Sequence, residues 1–382
     1  MKTLINIFIF TSFIACSIAE KRPENLGVVG DYEMIRTQLE IPLDAGSLPK
    51  YAIYSAFEKG QRHLFYGFNS QSRALDIFDL KKQTIRGHLS LAQLESELNF
   101  KVEQVYVFSE IDIFLYGSSK LIRVNGNGHL KEYHNLDESY SLDQGKSKPE
   151  LSGYFQLEYL PKQDSVLFHK KFDSKKDFET HNAVAQYKLS TRTWEDLPIR
   201  HPEILSEIEN LPLDLIQVTK ALNNDSDTIY FGFLYDTALA KFDTHTQEQT
   251  FAYPKIRFSP DSSFSLKQAT DNKEILRAFQ LMNPQFFMAL PTENEFIYRP
   301  YWKAMDIENA KNSDFTEKGL YLNILSQTLE PLADFPLEPY RYGINTWFAA
   351  SNGIYLQNDH PLNNGKEGYF IADKIMVRAN TR

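Results

Sequence analysis

Apolar and aromatic positions along this chain gather into short runs that recur in pairs: a strand, a gap, then a second strand ending in a turn. The clearest copies are Leu64-Phe65-Tyr66-Gly67-Phe68 with Ile77-Phe78-Asp79-Leu80, and Ile229-Tyr230-Phe231-Gly232-Phe233 with Ala240-Lys241-Phe242-Asp243. Weaker copies run from Phe114-Leu115-Tyr116-Gly117 into Leu121-Ile122-Arg123-Val124, and from Val166-Leu167-Phe168-His169 into Ala185-Gln186-Tyr187-Lys188-Leu189. A fifth pairs Phe296-Ile297-Tyr298-Arg299 with Leu320-Tyr321-Leu322-Asn323, and a sixth begins near Trp347 and carries Gly353-Ile354-Tyr355-Leu356 and Tyr369-Phe370-Ile371. Successive copies lie roughly 50 to 65 residues apart, within the range of repeat architectures. Each has room for about four strands.

Sheets stacked face to face leave apolar surface at both ends of an open array, and a ring removes it. The pattern therefore predicts an all-β, six-bladed β-propeller. Ile35, Thr37, Leu39 and Ile41 alternate with Arg36, Gln38 and Glu40 until Pro42, the period of a half-buried strand, and this segment is placed to pair with the last unit near 369–377 and close the ring. An N-terminal arm on a β-sandwich is the alternative. Short helices are expected between units at 90–98, with Ser90 and Gln93 as a capping box, at 201–209, and at 273–280. Twenty-eight Phe and 21 Tyr suit blades whose faces must be filled by large flat side chains.

The N-terminus carries a second signal. Lys2 precedes an apolar run from Leu4 to Ala15, the size of a signal-peptide core, and Cys16, the one cysteine of the chain, follows at once. A lone cysteine there resembles the lipobox of bacterial lipoproteins, with Phe13 where Leu is usual; Ser17-Ile18-Ala19 offers ordinary cleavage before Glu20 as the alternative. The expected organisation is a signal peptide over 1–19, a polar tether over 20–31 and a single propeller over 32–382. With one cysteine no intrachain disulfide can form. Fifty acidic against 41 basic residues give a net charge of -9, or -10 once Lys2 is removed, which argues against nucleic acid or an anionic bilayer as partner. Membrane attachment would be through lipid alone.

Local catalytic motifs are missing: no His-Glu-x-x-His, no Gly-x-Ser-x-Gly, no phosphate-binding loop and no calcium loop. Neither metal nor cofactor is called for, although a propeller would assemble such residues from distant units. Asp79 and Asp243 recur at one point of the repeat and read as turn residues bonding their own backbone; the run Asn358-Asp359-His360-Pro361-Leu362-Asn363 reads as a turn, with oxygen and imidazole ligands for a metal as the alternative. Two clusters set arginine among aromatics: Tyr298-Arg299-Pro300-Tyr301-Trp302, and Tyr340-Arg341-Tyr342 through Trp347. If both occupy loop ends of neighbouring units, Arg299, Tyr301, Trp302, Arg341 and Trp347 form one ligand-facing surface. If they lie within strands they are packing residues.

The runs "LFYGFNSQSRALDIFDLKKQTI", "EFIYRPYW" and "GIYLQNDHPLN" are similar to uncharacterised six-bladed, TolB-like β-propeller lipoproteins of Bacteroidota, a likeness extending from about Tyr32 onward. That resemblance implies a propeller exported and anchored at the outer membrane. It supplies no activity and no catalytic residue. Two functions follow as expectations: a monomeric, non-catalytic envelope module that binds a peptide, glycan or partner protein, or a propeller enzyme, a metal-dependent hydrolase or lyase, with its site in the central channel.

Overall fold

The computed structural model describes residues 24–137, 147–172, 174–202, 217–222, 227–256, 273–305, 317–343, 346–363 and 366–380. They form six antiparallel sheets, one per repeat unit, which we number as blades 1 to 6 in chain order: 54–90, 104–135, 147–197, 218–252, 285–336, and 347–379 joined by 24–42. The six-bladed β-propeller expected from the repeats is what forms. Among the described residues no helix is long and apolar enough to cross a membrane.

Closure falls where the alternating segment places it. Tyr32–Pro42 pairs along its whole length with Tyr369–Ala379, from Tyr32 opposite Ala379 to Pro42 opposite Tyr369. Met34, Ile35, Leu39 and Ile41 are all buried, because this strand is covered on both faces by neighbouring blades. Residues 24–29, read as part of a tether, instead form an additional edge strand, Glu24–Val29, paired with Tyr32–Pro42. The reason is apolar: Leu26 and Val29 pack against the core between blades 5 and 6. The lipidation expectation at Cys16 lies outside the described residues.

The core sits in the seams between blades. The seam of blades 6 and 1 joins Leu39, Ile41, Tyr54, Phe65, Phe78, Phe348 and Phe370, with Phe78 stacked on Phe370 at 4.8 Å between centroids. Comparable clusters fill the next three seams and that of blades 5 and 6. The seam of blades 4 and 5 differs: its apolar residues fall into two smaller groups, one around Tyr230, Leu239 and Ile297 and the other Ile256, Phe286 and Tyr301.

The glycine of the Phe-Tyr-Gly strands has a packing cause. A Cβ on Gly67 would stand 2.3 Å from the Tyr51 ring, and one on Gly117 would stand 1.8 Å from Lys101 O. In both blades the chain entering the innermost strand crosses the second strand so closely that no side chain fits. Asp79 and Asp243 cap their turns as expected: Asp79 Oδ1 accepts from Lys82 N at 2.9 Å, and Asp243 Oδ1 from His245 N and Thr246 N at 2.8 and 2.9 Å.

Helices form at Ala92–Glu97, Lys175–Thr180 and Lys273–Met282. The capping box at Ser90 and Gln93 is not made, since Ser90 is the last paired residue of its strand and Leu91 stands at the N-cap. Gln93 bonds Glu97 instead. The helix expected at 201–209 lies outside the described residues from 203 onward.

Candidate functional site

The first strands of blades 1, 2, 4 and 6, with residues 156–158 of blade 3 and 288–293 of blade 5, line a central cavity of about 500 Å³. Its wall takes residues from every blade, among them Tyr54, Tyr106, Glu158, Lys220, Met288 and Trp347. One end is spanned by the 152–158 segment of blade 3, which bonds to blades on both sides. Gln104 Nε2 donates to Ser152 O at 3.2 Å, Lys220 N to Tyr154 O at 3.2 Å, and the Tyr154 ring stacks on Phe287 of blade 5 at 5.9 Å. Gln156 Nε2 reaches the Tyr54 hydroxyl at 3.1 Å, and that hydroxyl also accepts from Trp347 N and donates to Trp347 O, each at 2.9 Å. Blades 1, 3 and 6 are thus tied through one phenol oxygen.

The opposite rim is more open and carries Lys59, Ser109, Glu293 and Ser351. Glu58 there accepts from Ser351 N at 2.9 Å and Ser351 Oγ at 2.6 Å, a second clasp between blades 1 and 6.

Lys220 is the buried charge of the wall. Its side chain is 1 % exposed; Nζ donates to Gln156 O at 2.6 Å, lies 3.1 Å from Glu158 Oε2 and stands 4.6 Å from the centre of the Phe155 ring. Glu158 keeps 24 % of its side chain accessible, and that surface faces the cavity. Burial pushes the Glu158 carboxyl up and the Lys220 ammonium down, and each is held back by the other's charge. Burial also raises the Tyr106 phenol, with a further contribution from Glu158.

The five residues singled out from sequence do not form one exposed surface. Arg299 and Tyr301 are 0 % exposed, because both lie on the strand Phe296–Trp302, whose two faces are covered by adjoining blades. Arg299 crosses the seam to blade 4, giving NH1 to Thr237 O at 2.7 Å and NH2 to Asp236 O and Ala238 O at 2.9 and 3.3 Å, with its guanidinium 4.0 Å from the Phe286 ring centre. Gly232 leaves it room, since a Cβ there would lie 3.6 Å from NH2 and 2.6 Å from Thr219 Oγ1. Desolvation lowers the Arg299 pKa to about 9. The Tyr301 hydroxyl donates to Asp334 at 2.7 Å.

Trp302 and Trp347 converge on Phe287, each edge-on to its ring at 5.3 and 5.0 Å. Trp302 is partly exposed, while Trp347 is buried, lines the cavity and gives Nε1 to Gly343 O at 2.8 Å. Arg341 turns the other way, pairing with Asp373 at 2.6 Å and Glu338 at 3.1 Å beside the Tyr342 hydroxyl, which also donates to Asp373. Of the five, Trp347 alone belongs to the cavity wall.

Lys220, Glu158 and Tyr106 went unnoticed in the sequence. Their signal was a charged residue within a short apolar run just ahead of a strong aromatic strand, as in Val218-Thr219-Lys220-Ala221-Leu222. Among the described residues no three His, Cys, Asp or Glu side chains converge as metal ligands. The Asn358–Asn363 run is a turn, with Asp359 accepting from Gly343 N at 2.7 Å and His360 Nδ1 from Leu362 N at 3.1 Å.

No protein-family model and no curated protein matches this chain. Solved structures do resemble it. A DUF4221-family protein from Bacteroides vulgatus superposes with a TM-score of 0.73 at 15% identity, over 91% of this chain and 99% of its own. A protein from Bacteroides fragilis described as a putative exported protein gives 0.56 at 11% identity, over 91% and 96%. At such identities the likeness establishes the fold.

Proposed function

We propose that this chain is an exported, lipid-anchored envelope propeller that acts as a non-catalytic binding module, receiving part of a peptide, glycan or partner protein at its central cavity. The observation that carries the reading is the cavity itself. It draws its wall from all six blades, is spanned at one end and opens at a rim of mixed charge, and its volume falls in the range of ligand sites, about 300 to 1,000 Å³. Its polar groups are held by contacts between blades, so the site is organised before a ligand arrives. The apolar run ending at Cys16 supports export and acylation. The exported description of the Bacteroides fragilis protein is in keeping with that.

The test is photo-crosslinking in the envelope of living cells, with a photoreactive residue at Lys59 on the rim or at Thr84 on an outer strand of blade 1. Discrete adducts from position 59 that are missing from position 84 are expected. The same adducts from both positions, or none from 59, would sink the proposal. Intact-mass measurement of the membrane-bound protein tests the anchor: a diacylated chain starting at Cys16 is expected, and an unmodified chain starting at Glu20 would overturn it.

A further inference from the structure

We infer that the central cavity takes a cationic group, the protonated side chain of an arginine or lysine carried by a peptide, with Glu158 as its counter-charge. This deepens the binding reading above and rests on it.

The inference follows from what the wall still has to offer. Lys220 is already engaged: its Nζ donates to Gln156 O at 2.6 Å, lies 3.1 Å from Glu158 Oε2 and sits over the face of Phe155. Its charge is matched within the wall, which disfavours its use for receiving an anion. Glu158 is the reverse case. A carboxylate accepts up to about four hydrogen bonds, yet among the described residues Lys220 is its one partner, and its accessible surface faces the cavity. Spare acceptor capacity in a site largely removed from water is what an incoming donor, above all a charged one, satisfies.

Two further features point the same way. Tyr106, Phe57 and Phe348 bring aromatic surface to the same wall, and aromatic faces attract cations in partly desolvated sites. The cavity's charged residues are Glu58, Glu158 and Glu293 against Lys59 and Lys220, one negative charge in excess, and the chain as a whole carries -9. Both steer a cation toward the open rim. Burial already pushes Glu158 toward its neutral acid; a second cation beside it would restore the carboxylate, so binding should strengthen as rising pH ionises Glu158.

The probes are short N-acetylated peptide amides with one central residue, either arginine, its neutral isostere citrulline, or glutamate, measured by calorimetry on the folded mature protein. The arginine peptide should bind at least about tenfold tighter than the citrulline peptide. Glu158→Gln should abolish that preference, and Lys220→Met, which removes the competing internal cation, should keep or increase it. Equal binding of arginine and citrulline peptides, or a preference for the glutamate peptide lost in Lys220→Met, would overturn the inference. If Glu158→Gln fails to fold, the pH dependence and the Lys220→Met arm still decide. Rim-specific crosslinks together with no arginine preference would leave a binding module whose ligand is not cationic, so the two readings fail separately.

Discussion

Lys220 and Arg299 are both buried cations that bond backbone carbonyls and lie over a phenylalanine ring, at 4.6 Å from Phe155 and 4.0 Å from Phe286. They differ in what stands on the other side. Beyond Lys220 is a carboxylate with accessible surface in the channel. Beyond Arg299 is the fully buried amide of Asn323, its cross-strand partner. The same chemistry is therefore used to open a site in one place and to seal a seam in the other. In the seam of blades 4 and 5 the guanidinium takes up three carbonyls at the register break of the strand Asp236–Asp243, where Phe233 faces Asp236 and Gly232 faces Leu239, and the apolar core divides to admit it.

The comparison breaks first at Arg299. Arg299→Met keeps much of the volume but leaves carbonyls of 236–238 without their donors in an apolar seam, so stability should fall by about 3 kcal/mol. Urea unfolding at neutral pH measures it, and peptide binding to the folded fraction should be unaffected. A loss within about 0.5 kcal/mol, the range of ordinary surface changes, would remove the sealing role.

Acid separates the two regions next. Behind Lys220, His169 lies against Phe155 with ring centres 5.4 Å apart, and His201 sits between Phe172 and Phe233. Burial, with Lys171 and Lys220 adding to it, lowers the His169 pKa to about 4, and burial with His169 lowers that of His201 to about 3. Below the unfolded value of about 6.5 the unfolded chain binds protons that the folded imidazoles refuse, so stability drains as pH falls from there toward 4 and 3. The loss should reach a few kcal/mol, and His169→Leu with His201→Leu should flatten the profile of unfolding free energy between pH 7 and 4. An unchanged slope would mean that these rings take up protons freely.

How much of this was legible in the sequence follows from where each signal resides. Strand pairs, blade number and the closing strand were readable because burial on both faces demands apolar runs, and because Ile35, Leu39 and Ile41 repeat with the strand period. Gly67, Gly117 and Gly232 also showed, as one repeated letter, although their causes are contacts with Tyr51, with Lys101, and with Thr219 and the distant Arg299. The edge strand at 24–29 was hidden by its polar flanks. The cavity was hidden for another reason: its wall draws single residues from six units, and a lone Lys220 or Glu158 carries no local spacing. Arg299 and Tyr301 looked like a binding cluster because arginine among aromatics marks both interfaces and blade seams. Only the register, which sets Arg299 opposite Asn323 in mid-sheet, distinguishes the two.

Lys220→Met sharpens the contrast at smaller scale. Losing one partner of a buried ion pair is costly when the other stays charged and dry, but Glu158 faces the channel and can take a proton, so the expected loss is about 1 to 2 kcal/mol, less than for Arg299→Met. Lowering the pH should shrink the deficit as Glu158 is neutralised. An effect equal to or above that of Arg299→Met would mean that the wall is as sealed as the seam.

The smallest effect is expected where the same kind of pairing meets solvent. His88 lies between Asp76, at 2.7 Å from Nδ1, and Asp44, at 3.0 Å from Nε2, with 37 % of its side chain exposed. The Asp76 hydrogen bond, and Asp44 with it, raise the His88 pKa against a partial desolvation. A raised folded value means that the stabilisation is fully present below the unfolded pKa of about 6.5 and is lost as pH rises through the folded one. His88→Gln should therefore cost under about 1 kcal/mol at pH 6, less still at high salt, since His88 and Asp44 border water and the buried Asp76 keeps its hydrogen bonds from Tyr51 and Asn69. At pH 9 the variant and the parent should unfold alike. If instead the deficit persists undiminished at pH 9, the ring holds the 44–51 loop by packing or neutral hydrogen bonds, and the gradient from sealed seam to channel wall to open surface would not be electrostatic at its exposed end.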